Sequence, residues 1–95
     1  MKKTKIELRL ASKYNKLSEK FKKTGISKDR AEELSFHFME IEYSFDGIMK
    51  NIDNMLIAKN KEKVLEKLED IWSEFEVHVV NNHIIPAKKI LDKII

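Results

Sequence analysis

Between residues 31 and 55 the positions Ala31, Leu34, Phe38, Ile41, Phe45, Ile48, Ile52 and Met55 follow one another at alternating steps of three and four. Apolar residues at that spacing share one stripe of an α-helix, and no strand of period two reproduces it. Sustained over more than three heptads, the pattern requires a helix of roughly 40 Å that runs to about Ile57 and buries its stripe against neighbours. Phe36, Met39 and Tyr43 fall outside the stripe. A helix that is apolar on two sides needs a second partner.

The flanking segments supply partners. Upstream, Ile6, Leu10, Tyr14, Leu17 and Phe21 are spaced four, four, three and four apart, a single helical stripe. Its end is marked by Gly25: with that glycine in the left-handed region, Phe21 and Ile26 stand where a Schellman cap places its apolar contact. Ser27 then becomes the N-cap of the long helix, with Ile26 and Ala31 as a modest hydrophobic staple. Downstream, Asn60 can end one helix in the left-handed region or cap the next; its neighbours would also allow one continuous rod, but a turn is the expectation because a short chain buries its seams better as a bundle. A third helix follows with Val64, Leu68, Ile71, Phe75, His78 and Asn82 in register. Gly47 is either a surface glycine or the mark of a close crossing, since glycine serves both uses.

Pro86 is the only proline. It lacks an N–H, and in an α-helix its ring meets the carbonyl of Asn82, while Ile85 before it is pushed from helical dihedrals. The third helix is therefore expected to stop or kink near residues 81 to 84. Pro86 then opens a short last helix with Ala87, Ile90, Leu91, Ile94 and Ile95 apolar. With two glycines, one proline and abundant Lys, Glu, Leu and Ile, the chain reads as one all-α domain over residues 1–95. It is an antiparallel bundle of three long helices plus a short C-terminal helix after Pro86.

Composition narrows the function classes. The absence of cysteine removes disulfides, thiolate metal sites and thiol catalysis. The lysine-bearing N-terminus has no apolar run of a secretory signal, and no stretch approaches the roughly 20 apolar residues of a membrane span. These features lead to the expectation of a soluble cytoplasmic protein of microbial type. Charge is uneven: residues 1–30 hold eleven Lys or Arg against three acids, and residues 31–58 hold one against six. A basic first helix thus faces an acidic second one. Arg9, Lys13, Lys16, Lys20 and Lys23 form a cationic stripe that could follow phosphates. It carries no aromatic platform or base-reading group, so a solvated or internally paired face is favoured over nucleic-acid binding.

Three histidines bear on chemistry. On an intact α-helix, His78 and His83 differ by about 140° in direction, and a chelating pair needs three or four residues of separation. His37 and Glu40 do share a face and could meet His78 across the bundle, giving a carboxylate–histidine metal site of the four-helix type. That site is the alternative to a satisfied core histidine and solvated side chains, and no metal or cofactor is the favoured expectation. "NNHIIPAKKIL" resembles the last helix of hemerythrin-like oxygen carriers, where a histidine precedes an aspartate by five positions. Here Lys88 stands at that distance from His83, and the family's His-x-x-x-His pair is missing, so no ligand is carried over. Arg30 and His37 resemble the Arg-x(4 to 6)-His pattern of HEPN-type ribonucleases, which implies a dimer with the pair at its interface. Phosphate loops and nucleophile elbows are lacking.

The expected function is accordingly a non-enzymatic protein-interaction module, a small regulator, adaptor or immunity-type protein. Its partner is a second copy, giving a dimer, or another protein, docked on Phe36, Met39 and Tyr43. A metal-binding or HEPN-like nucleic-acid-processing protein built on His37, Glu40, His78 and Arg30 is the alternative.

Overall fold

Thr4 opens the first helix: its hydroxyl accepts from the Glu7 N–H at 3.2 Å, and α1 runs over Lys5–Lys23. The computed structural model describes residues 4–94; Met1 to Lys3 and Ile95, the last of the C-terminal isoleucines, lie outside the described residues. The α1 terminus is the Schellman cap that the sequence specifies. Gly25 has φ +95°, the Ile26 N–H reaches the Phe21 carbonyl at 3.1 Å, and the Gly25 N–H reaches that of Lys22 at 3.1 Å. Helix α2 spans Lys28–Ile57 with Ser27 at the N-cap position. The Ser27 side chain makes no capping bond there, so its preference for the position rests on backbone geometry. At the next turn Asn60 Oδ1 accepts from the Lys63 N–H at 2.9 Å and starts α3, Lys61–Ser73.

Near Pro86 the helix does not stop but changes character, and the expected short C-terminal helix follows. After Ser73 the helix widens into a π-helical segment, Glu74–Ile84, and passes without interruption into α4, Ile85–Ile94. Ile85 keeps helical dihedrals of −63° and −49°, and its N–H bonds back five residues to the Val80 carbonyl. Five-residue bonding supplies the physical reason. The obstacle that Pro86 poses is the carbonyl four residues back, and a widened turn shifts the ladder away from it. The chain answers Pro86 by loosening the helix rather than ending it.

All described residues belong to helices or to the turns between them, with no strand. The arrangement is an antiparallel layer in which α2 is central. Glu42 of α2 holds Lys13 at 3.1 Å and Arg9 at 3.6 Å on α1, whereas Ser44 and His37 of α2 reach His78 and His83 in the π segment. Residues two apart on a helix differ by about 200°, so α1 and the π segment flank α2 on nearly opposite sides. Leu34, Ala87 and Ile90 form a small buried core, with Phe21 and Ile94 packed against it. Val79, Leu10 and Ile48 are also buried.

The layered arrangement leaves much of the heptad stripe partly open. Phe38 is 46% exposed and Phe75 41%, and Phe45 is exposed as well, although it stacks edge-on against Phe75 at 6.3 Å between centroids. Both broad faces of α2 carry aromatic side chains, because Phe36 and Tyr43 are exposed on the side opposite Phe38 and Phe45. Gly47 faces open space, so it is a surface glycine and not a close crossing. No helix among the described residues is long and apolar enough to cross a membrane.

Candidate metal centre

All three histidines of the chain converge. His37 comes from α2, and His78 and His83 come from the π segment. In an α-helix the latter two diverge; with π geometry, at about 4.4 residues per turn, residues five apart come within about 50° of each other. The widened helix supplies the unwinding without which this pair cannot share a face. His78 Nε2 and His83 Nε2 lie 3.2 Å apart. Glu40, three residues after His37 on α2, brings a carboxylate oxygen to the same place, and ligand atoms of Glu40, His78 and His83 all lie within 4.8 Å of one another.

The outward-facing nitrogens of both rings are already engaged. His78 Nδ1 meets the Glu74 carboxylate at 2.6 Å and the buried Ser44 hydroxyl at 2.5 Å. His83 Nδ1 pairs with His37 Nδ1 at 2.9 Å. When Nδ1–H of a neutral imidazole donates to a carboxylate, Nε2 is left as a bare lone pair. With Nδ1 of both rings donating, two lone pairs face each other at 3.2 Å, an arrangement that calls for a cation between them. The other arrangement of protons places one N–H of His83 on His78 and has His37 donate to His83. Carboxylate–histidine pairs of the Glu74–His78 kind are the usual second layer of a metal site, where they fix the tautomer and raise ligand basicity.

The 3.2 Å distance fits an N–H···N hydrogen bond between the two rings, and it also fits a shared ion. Two nitrogens bound at about 2.0–2.1 Å in a tetrahedron are separated by about 3.3 Å, close to the observed gap. His83 is 6% exposed, and its pKa is lowered from the ordinary 6.5, first by burial and then by the neighbouring His78 and His37 rings, against opposing contributions from Glu40 and Glu74. A ring held neutral keeps its lone pair for a metal. Phe36 caps this side, with its ring edge-on to His37 at 5.5 Å and to His83 at 5.9 Å. On the His78 side the cluster opens into a polar hollow lined by Asn51, Asp70, Ser73 and Glu74.

The alternative metal set of His37, Glu40 and His78 is thus brought together, but with roles redistributed: His83 stands beside His78 and Glu40, and His37 supports His83. Reasoning from α-helical spacing missed His83, Glu74 and Ser44. The five-residue interval followed three residues later by proline was the available signal. Arg30 lies exposed in the first turn of α2 and makes no hydrogen bond or ion pair with the cluster. Of the basic stripe, Arg9 and Lys13 are paired with Glu42, and Lys16, Lys20 and Lys23 are exposed on α1. In the patch of Phe36, Met39 and Tyr43, the phenylalanine doubles as the wall of the histidine cluster, Met39 is half-buried and Tyr43 is exposed. No protein-family model matches the chain, and neither the curated proteins nor the solved structures yield a match.

Proposed function

We propose that this chain is a metal-binding helical protein that holds one divalent transition-metal ion, of zinc type, through Glu40, His78 and His83. The observation that carries this reading is the 3.2 Å approach of two Nε2 atoms whose Nδ1 partners are already in place. Nitrogen and carboxylate ligands in a small tetrahedral array suit zinc better than calcium or magnesium, which prefer all-oxygen sets. Three protein ligands leave a fourth position for water or an external group. Ser44, Glu74 and His37 orient the two imidazoles.

Calorimetric titration of chelator-stripped protein with zinc tests the reading. One equivalent is taken up by the native chain, and His78→Ala and His83→Ala each abolish the uptake while helical circular dichroism is kept. Substitution with cobalt(II) gives the visible absorption of a tetrahedral site. Native protein that takes up no zinc or cobalt at stoichiometric concentration contradicts the proposal.

A second reading, an interaction module whose helical face docks another chain, is favoured by a separate observation. The accessible surface is 7258 Å², whereas a monomer of 11.3 kDa ordinarily exposes about 5,700 Å².

A further inference from the structure

We propose that the open face of α2 carrying Phe38 and Phe45 is covered by the same face of a second copy of this chain, so that two three-helix layers close into one two-fold bundle. This rests on the second reading above and names its partner and surface. It is independent of the histidine cluster.

Because α1 and the π segment flank α2 on nearly opposite sides, the Phe38–Phe45 face is covered among the described residues only at its edges, by Phe21 of α1 and Phe75 of the π segment. The radius of gyration is 16.3 Å where a packed chain of this length has about 12 Å, and the shortest dimension is only 18 Å. Stable domains bury their elements between two packed layers, and here there is one. The uncovered face is a continuous apolar surface. At one end Phe21, Phe38, Leu91 and Ile94 line a groove of about 510 Å³ between α1, α2 and α4. The same face continues along α2 to Phe45, which meets Phe75 of the π segment, and reaches the exposed Leu68 one heptad before Phe75.

Size identifies the occupant. The excess over the ordinary monomer surface is about 1,500 Å² per chain, or about 3,000 Å² for two, which falls within the roughly 2,000–5,000 Å² of obligate homodimers. Charge does not oppose self-pairing, since Lys88 at the groove rim is neutralised by Asp92 at 2.5 Å. Phe38, Phe45 and Ile52 repeat every seven residues, so an antiparallel copy of α2 presents the same spacing in return. Tyr43 and Met39, the sequence-derived patch, lie on the other broad face and remain outside this contact.

Sedimentation equilibrium on the full chain at micromolar concentration, with and without chelator, tests the proposal. The native protein sediments at about twice its 11.3 kDa mass. Phe38→Asp and Leu91→Asp each give monomers that retain helical circular dichroism, and Tyr43→Asp leaves the dimer intact. Because Phe38 also touches Phe21, Phe45→Asp provides a second variant should Phe38→Asp unfold. A helical native monomer overturns the proposal, as does a dimer that Tyr43→Asp dissociates and the Phe38, Phe45 and Leu91 variants do not. A native monomer whose groove carries a bound apolar small molecule by native mass spectrometry overturns the second-copy assignment while leaving the interaction reading to be tested with other proteins.

Discussion

The α1–α2 connection and the stretch from Glu74 to Pro86 are both places where one special residue meets a helix, and they resolve the conflict in opposite ways. At Gly25 the helix ends: the glycine takes a positive φ, two orphan carbonyls are capped, and the chain reverses with Phe21 and Ile26 in apposition. At Pro86 the helix continues, because widening over the preceding eleven residues removes the clash that termination would otherwise relieve. The first device is local and complete in itself. The second spreads along the chain, and its by-product is the alignment of His78 with His83.

The largest expected effect breaks the second region while sparing the first. His83→Ala removes a proposed ligand and lowers zinc affinity by more than 100-fold in a calorimetric titration, beyond the 10–100-fold typical of losing a supporting group. Pro86→Ala separates geometry from ligand identity. With an N–H restored and the ring gone, the segment relaxes toward an α-helix, thermal stability rises by up to about 3 kcal/mol, and zinc affinity falls because the two imidazoles diverge. Unchanged affinity in this variant would show that the π geometry does not depend on the proline. Glu74→Gln weakens zinc binding by about 10–100-fold with little effect on the fold, since it alters one of the two partners of His78 Nδ1 and leaves Ser44 in place.

Gly25→Ala sharpens the comparison from the other side. It forces an L side chain into a left-handed conformation and costs about 1–2 kcal/mol by chemical denaturation, with zinc affinity unaltered. The smallest effect concerns protons. Unfolded, His83 takes up a proton near pH 6.5; folded, burial and its two histidine neighbours depress that value. The contribution of His83 to the stability of the metal-free protein is therefore present in full above pH 6.5 and declines as the pH falls from there through the folded-state value, a decline that His83→Gln flattens in denaturation curves measured across that range.

Legibility in the sequence follows the same division. The α2 stripe, the Schellman cap at Gly25 and the Asn60 turn were readable because each is set by residues within one or two helical turns. Ser27 stands at the expected N-cap without a side-chain bond, whereas Asn60, which the sequence allows either to end one helix or to cap the next, caps the next. The flatness of the layer was not readable. A heptad pattern fixes which side chains share a stripe, but it does not say how far around that stripe the neighbours close, and Phe38 and Phe75 are half-covered as a result. The histidine cluster was readable only in part. His37, Glu40 and His78 share faces under ordinary helical spacing, whereas His83 joins them only once the helical period changes, and periodicity arguments assume that it is constant.

On the proposed reading, the π-helical turn makes His78 and His83 a single binding unit. Nitrogen-15 NMR of the imidazoles during zinc titration addresses it most directly. With one ion shared between the rings, the Nε2 signals of His78 and His83 move together and reach their end point at one equivalent, while Nδ1 of both rings stays protonated. Nε2 signals that shift independently, or that stay unmoved at excess zinc, would contradict it.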